Sequence, residues 1–445
     1  MTPFDLLELD RLVSASRARV RSWRRGGHVG DPPAIERAAS AKATYDDLRG
    51  ITGDPVAPRL AEHVAALAVD RVTIADEARA MTARRVASES AAAPGVSVAS
   101  AARSVLEART NRDVRMRELA LVARPAHEAA RVWVDRRREA ARLLGLDLAA
   151  IEHAPFTPPG IASLAEAALA ATDGASGEIA GEPIVGLLDR AVAADAGEGW
   201  PARITARFTR EVFGKGPLFD GVAIDLGELP PALGAASFAR VLARAGRELS
   251  ARDRPAGVPF AVARDAFDLL EARRGALFAG LLLEPAFHAR RLGLGAARAR
   301  EQTRKVARAA LVWVRVAALR ALAWSTLVAG GRSDAYPDIV ERCLGRPLSP
   351  DLCAVFPLAS PESALALAGI FAATGDRVVY RERFDEDWFE NPRAHEALRH
   401  EHHAARPGDL GPEARAAALG PAPGASQAPS QGSALERTLA EALAW

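Results

Sequence analysis

The sequence predicts a mostly α-helical protein with at most a small β element. Two observations carry that expectation. Ala, Leu, Arg and Glu, all strong helix formers, dominate the chain from end to end. Apolar residues recur at helical rather than alternating spacing, as in Ala130, Trp133, Ala140 and Leu144, with Gly145 as a stop. At 445 residues, 49% of them hydrophobic, the chain is long enough for one large or two ordinary domains and a sizeable core.

The elements follow in order. Residues Pro3–Trp23 read as an amphipathic helix ended by Gly26 and Gly27, and Pro33–Leu48 as a second. Pro58–Ser90 is one long helix or two short ones. Val98–Ala123 is expected to close at Pro125, before a new helix over Ala126–Leu144. Phe156–Gly181, interrupted by Pro158, Pro159, Gly174 and Gly177, reads as a loop-and-helix connection. Gly221–Leu226 (GVAIDL) is the best strand, with Val222 and Ile224 on one face, and Pro230-Pro231 open a new unit. Gln302–Leu327 is strongly apolar, with Arg304, Arg308 and Arg315 along one narrow stripe; so thin a polar face predicts a largely buried helix. Residues 404–432 are rich in Pro, Gly, Ala, Ser and Gln and read as a disordered linker. The apolar coda Ala434–Trp445 is then either a docking helix or a frayed end.

Composition narrows the function classes. The formal net charge is only +2, which gives no general pull toward nucleic acid or an anionic membrane. Positive charge is nearly all arginine, with lysine only at 42, 215 and 305. The run Arg136-Arg137-Arg138 lacks accompanying aromatics and reads as a wet helix face. Cys343 and Cys353 fit no metal-knuckle spacing and are expected as small thiols rather than a bridge. The start, MTPFDLLELDRLV, is acidic early and lacks an apolar signal core, and the apolar stretches 321–331 and 363–375 are short for a bilayer. A cytoplasmic location is the default expectation. No cofactor is expected.

The most informative segment is Ala236–Ser250, ASFARVLARAGRELS. It has the setting of a zinc-peptidase helix, with a strand ahead of it and a small residue, Gly246, late in it. Three further patches accompany it: Trp133–Leu146 (WVDRRREAARLLGL), Phe278–Gly293 (FAGLLLEPAFHARRLG) and Tyr380–Leu398 (YRERFDEDWFENPRAHEAL). Together, in order and spacing, they resemble the gluzincin zinc peptidases of the oligoendopeptidase and thimet-like group, with angiotensin-converting-enzyme-like enzymes as cousins. The resemblance spans about residues 133–398. It implies a two-lobed helical fold with a central channel: an N-terminal lobe over 1–220, a C-terminal lobe over 221–403 holding the former active helix, and a tail over 404–445.

The function does not carry over. Where H-E-x-x-H would stand, the first histidine falls on Ala243, the glutamate on Arg244 and the second histidine on Arg247. The third-ligand glutamate falls at or beside Ala272, with Glu271 one residue away. The later tyrosines would lie near Ser360–Ala368, which has none. Alanine offers zinc no side-chain lone pair, and arginine is not deprotonated in a protein. An ion pair of Arg247 or Arg244 with Glu271 or Glu248 would fill the metal's place; otherwise these arginines are ordinary solvated helix charges, the commoner case. Glu396, His400 and His403 share one helical face and form a weak metal candidate at the edge of the tail. The resemblance therefore implies a pseudopeptidase that binds a peptide or protein segment in its channel or serves as a scaffold; the small net charge and short apolar stretches predict no nucleic acid and no membrane as partner. The rivals are an active metallopeptidase with a non-standard site and a nucleic-acid-binding regulator drawing on the arginine-rich helices.

Overall fold

The computed structural model describes residues 5–24, 32–90, 112–152, 158–176, 199–201, 205–212, 217–219, 222, 224, 234–252, 257–264, 269–330, 333–345, 347–348, 350, 360, 362–404 and 431–444. Among them every regular element is helical. The small β element is not seen: Val222 and Ile224 are buried but belong to no strand, and their neighbours lie outside the described residues.

The first helix, α1 (Leu6–Arg24), starts at Asp5, whose Oδ1 accepts the Glu8 N–H at 2.6 Å. The helix expected over Pro33–Leu48 is instead two, α2 (Ala34–Ala39) and α3 (Lys42–Gly50). The break follows from Ser40, whose hydroxyl donates to the Glu36 carbonyl at 3.0 Å, and from Thr44, whose hydroxyl donates to the Ala38 carbonyl at 2.8 Å. Asp54 caps α4 (Ala57–Ser90), accepting from the Val56 N–H at 2.7 Å.

Pro125 does not end a helix. Instead, α5 (Arg112–Leu143) runs through it, so one lost N–H bond is tolerated within a long helix packed along α4. A buried ion pair pins the two: Arg137 donates to Asp70 at 2.9 Å and to the Thr73 hydroxyl at 3.1 Å. The short α6 (Leu148–Glu152) leads to α7 (Pro158–Asp173), which begins on the two prolines rather than being broken by them. Proline suits a first turn, where its missing N–H has no helical partner to lose.

After α8 (Ala206–Glu211) come α9 (Ala235–Arg252), the short α10 (Phe260–Ala263), α11 (Leu269–Ala279) and α12 (Pro285–Arg291). Asp10 of α1 reaches α10 from the far end of the sequence, its two oxygens accepting the N–H groups of Phe260 and Ala261 at 2.7 and 2.8 Å. The apolar helix is α13 (Ala296–Val328). It is long and apolar enough to cross a membrane, yet 67% of its most apolar 18-residue window is buried inside the protein, as a core helix would be. Arg315 leaves the expected polar stripe: it is buried, and its guanidinium donates to Cys343 O at 2.6 Å, the Thr172 hydroxyl at 3.0 Å, Asp173 at 2.8 Å and Arg342 O at 3.1 Å. It thereby ties α13 to α7 and to α14 (Tyr336–Leu344). Cys343 is free and buried, and burial pushes its thiol up to about 12; Cys353 lies outside the described residues.

The chain closes with α15 (Ser363–Phe384), α16 (Pro392–Ala404) and α17 (Gln431–Ala444). The coda is a docked helix: Ala434, Leu435, Thr438, Leu439 and Ala442 are buried against α7, α13 and α15. Two main apolar cores result. One joins the N-terminal helices to the second half of α13 and to α14. The other gathers Phe238, Leu242, Phe278, Phe287 and Trp388 around α9 and α11.

Candidate functional site

Helix α9 carries the positions that the resemblance marks as the former metal site. Its apolar side chains fall at 238, 241, 242, 245 and 249, one helical face, and all five are buried. Arg240 and Arg247 are exposed, while Ala243, Arg244 and Glu248 are half-buried. Helix α11 contributes the segment from Glu271 to Gly275.

The structure brings these two segments together in direct contact. A Cβ added to Gly246 would lie 2.5 Å from the Arg274 carbonyl oxygen and 2.8 Å from its carbon. A Cβ on Gly275 would lie 3.0 Å from the Ala243 carbonyl oxygen and 3.2 Å from both Cγ and Nε of Arg247. The helices therefore cross backbone to backbone, in the manner small residues permit. On the other side of α11, Gly369 of α15 rests on the backbone of Ala272, where a Cβ would meet carbon and oxygen at 2.8 Å. Thus α11 is a central slat between α9 and α15, seated by a glycine on each side. At the crossing, helix backbone fills the space between Ala243, Arg247 and Gly275.

The charged groups here hold helices together. Glu271 is paired with Arg264 and lies 3.9 Å from Arg21. Glu271 thus pairs with arginines that sequence reasoning did not consider. Arg247 instead lays its stem and Nε over Gly275. Arg273 makes a two-pronged pair with buried Asp376 of α15, and Arg274 donates to the Leu398 carbonyl of α16. Next to α11, Glu284 is buried and accepts from Arg377 Nε at 2.5 Å, with Arg381 Nε at 3.8 Å. Burial pushes the Glu284 carboxyl up from its ordinary range, against the pull of those two guanidiniums.

The other predicted face, Glu396, His400 and His403, lies on α16. Glu396 is exposed; the side chains of His400 and His403 are outside the described residues. Among the described residues no three His, Cys, Asp or Glu side chains cluster as a metal site would require. His395 of the same helix is buried, its Nε2–H donating to Phe389 O at 2.7 Å, a structural role.

What sequence reasoning missed has a signal in hindsight. Gly246, Gly275 and Gly369 are isolated glycines inside helical patterns, and such residues mark close packing. No family model, no curated protein and no solved structure matches this chain.

Proposed function

We propose that this chain is a catalytically inactive, peptidase-like binding protein: a two-lobed helical shell resembling an oligoendopeptidase-type enzyme, which acts by holding a peptide or protein segment. The observation that carries the reading is the α9–α11 crossing. The side chains that would have to hold zinc are alanine and arginine, and the backbones behind them touch at Gly246 and Gly275. Glu271, nearest to a third ligand, is committed to Arg264 and Arg21. A surface that grips an extended or helical segment needs neither a metal nor a general base.

The test combines metal analysis with a peptide library. Purified protein is expected to carry well under one zinc per chain, to leave quenched fluorogenic peptides intact, and to bind a subset of peptides at micromolar concentration. One zinc per chain together with chelator-sensitive cleavage would contradict the reading, and loss of that cleavage on His400→Ala and His403→Ala would assign it to the α16 face. Salt-sensitive binding of duplex DNA in place of peptides would make the chain a nucleic-acid-binding regulator.

A further inference from the structure

A cavity of about 360 Å³ lies where α3, α4 and the turn between α5 and α6 meet. From α3 it is lined by Tyr45, Leu48 and Arg49, which stand at i, i+3 and i+4 and so share a helical face. From α4 it is lined by Ala61 and Ala65, one turn apart, whose small side chains leave space that larger ones would fill. Leu146, just past the end of α5, and Ile151 of α6 complete the apolar lining. Tyr45, Leu48, Ala61, Ala65 and Ile151 are all buried, so the cavity is a recess in the first core and not a flat surface.

Two donor groups border this recess with no acceptor of their own. The Tyr45 side chain is only 6% exposed, yet its hydroxyl makes no hydrogen bond among the described residues. A buried phenol usually finds a partner. Arg49 is exposed at the rim, with its guanidinium carbon 5.9 Å from the centroid of the Tyr45 ring. It pairs with no carboxylate among the described residues. The charges around it are matched. Lys42 holds Asp46 at 2.8 Å, and Arg59 holds Glu62, the one carboxylate of the lining, at 3.4 Å. Arg49 therefore brings a positive charge to the cavity that nothing there compensates.

We infer that this cavity binds a small carboxylic acid with an apolar body, of the medium-chain fatty acid class. The body replaces water against Leu48, Ala65 and Ile151, and the carboxylate meets the fork of Arg49 and the Tyr45 hydroxyl. Guanidinium and phenol both donate to an anionic oxygen, and such charge-assisted bonds are about twice as strong as neutral ones. The volume lies near the lower end of the range for small-molecule sites. A cationic head would instead meet Arg49 with like charge. The inference does not rest on the peptide-binding reading, because it concerns other residues and either can fail alone.

Isothermal titration of the full chain with decanoate, kept below its micelle concentration, tests it, and saturable binding at one site is expected. Decanol, the same chain without the charge, binds about tenfold more weakly. Arg49→Gln weakens decanoate by about that factor and leaves decanol unchanged, which a merely structural arginine would not do. Tyr45→Phe weakens decanoate about threefold. The same variant keeps the thermal midpoint of the free protein, because the hydroxyl bonds nothing within the chain; a lowered midpoint would make the hydroxyl structural and overturn its place in the site. Absence of decanoate binding, equal affinity for decanol, or tighter binding of decylamine would each overturn the inference. So would decanoate binding that neither variant changes. Peptides with a free apolar C-terminal residue that displace decanoate at lower concentration, while their amidated forms do not, would overturn the free acid in favour of a peptide C-terminus.

Discussion

Glu284→Ala is expected to lower the free energy of unfolding by about 3–5 kcal/mol, the range for breaking a buried ion pair by removing one partner. The side chains of Glu284 and Arg377 are 2% and 7% exposed, so the arginine left behind has little access to water. The Thr438 hydroxyl of α17 remains as its hydrogen-bond acceptor. Arg381 loses the same carboxylate but is less buried and keeps Glu441 and Glu386, so most of the loss comes from Arg377. Urea unfolding followed by circular dichroism measures the effect as a lower midpoint. Glu284→Gln, which keeps an acceptor for Arg377, is expected to lose less. Equal losses for the two variants would mean that the charge carries the whole effect and the retained acceptor adds nothing.

His288 is expected to make the protein acid-sensitive. It is fully buried beside Trp200 and Phe287, and its Nε2–H donates to Leu282 O at 2.8 Å. Its Nδ1 is buried without a hydrogen-bond partner among the described residues. Burial therefore holds the imidazole down, to about 4 against an ordinary 6.5. As pH falls below about 6.5 the unfolded chain takes up the proton first, so stability present above that pH drains away until the folded histidine also titrates near 4. The loss across that window is about 3 kcal/mol. His288→Gln, which keeps a donor and cannot be protonated, should flatten the difference between unfolding free energies at about pH 7 and about pH 4. An unchanged difference would mean that His288 does not set it. Asp173 acts in a lower window with the same sign: the Arg342 guanidinium, hydrogen-bonded to its carboxylate, holds it below the ordinary range, so its contribution is lost only as pH falls through that depressed value.

The helical class was readable because composition and apolar spacing act locally. The breaks were less readable, since they depend on which local competitor wins. Ser40 interrupts a helix by bonding its own backbone, whereas Pro125, the stronger breaker in isolation, is overridden by the packing of α5 along α4. The buried arginines lay further out of reach. Arg315 falls on a tidy polar stripe with Arg304 and Arg308, and nothing local reveals that Thr172 and the Cys343 carbonyl await it. Arg273 with Asp376, and Arg377 with Glu284, are joined across about a hundred residues of chain. For the candidate site, only the nearness of two segments was legible. Sequence reasoning paired residues 243–247 with the segment around 271, and the structure sets them side by side. It could not show that glycine carries the contact or that Glu271 turns to Arg264.

The central claim is that the residues which the resemblance aligns with a metal centre are committed to a helix–helix contact, and Gly246→Ala tests it by sign. In an open helix the change stabilises by about 1 kcal/mol, because alanine is the better helix former. Gly375, inside α15 with nothing within 4 Å of an added Cβ, is the control, and Gly375→Ala is expected to raise the urea midpoint. At Gly246 the new methyl would sit 2.5 Å from the Arg274 carbonyl oxygen, so α9 and α11 must part and the net change is a loss of about 1–3 kcal/mol. A midpoint below that of the unchanged protein is the predicted result. A midpoint raised as in the Gly375→Ala control would contradict the contact and reopen the space between the helices to a ligand.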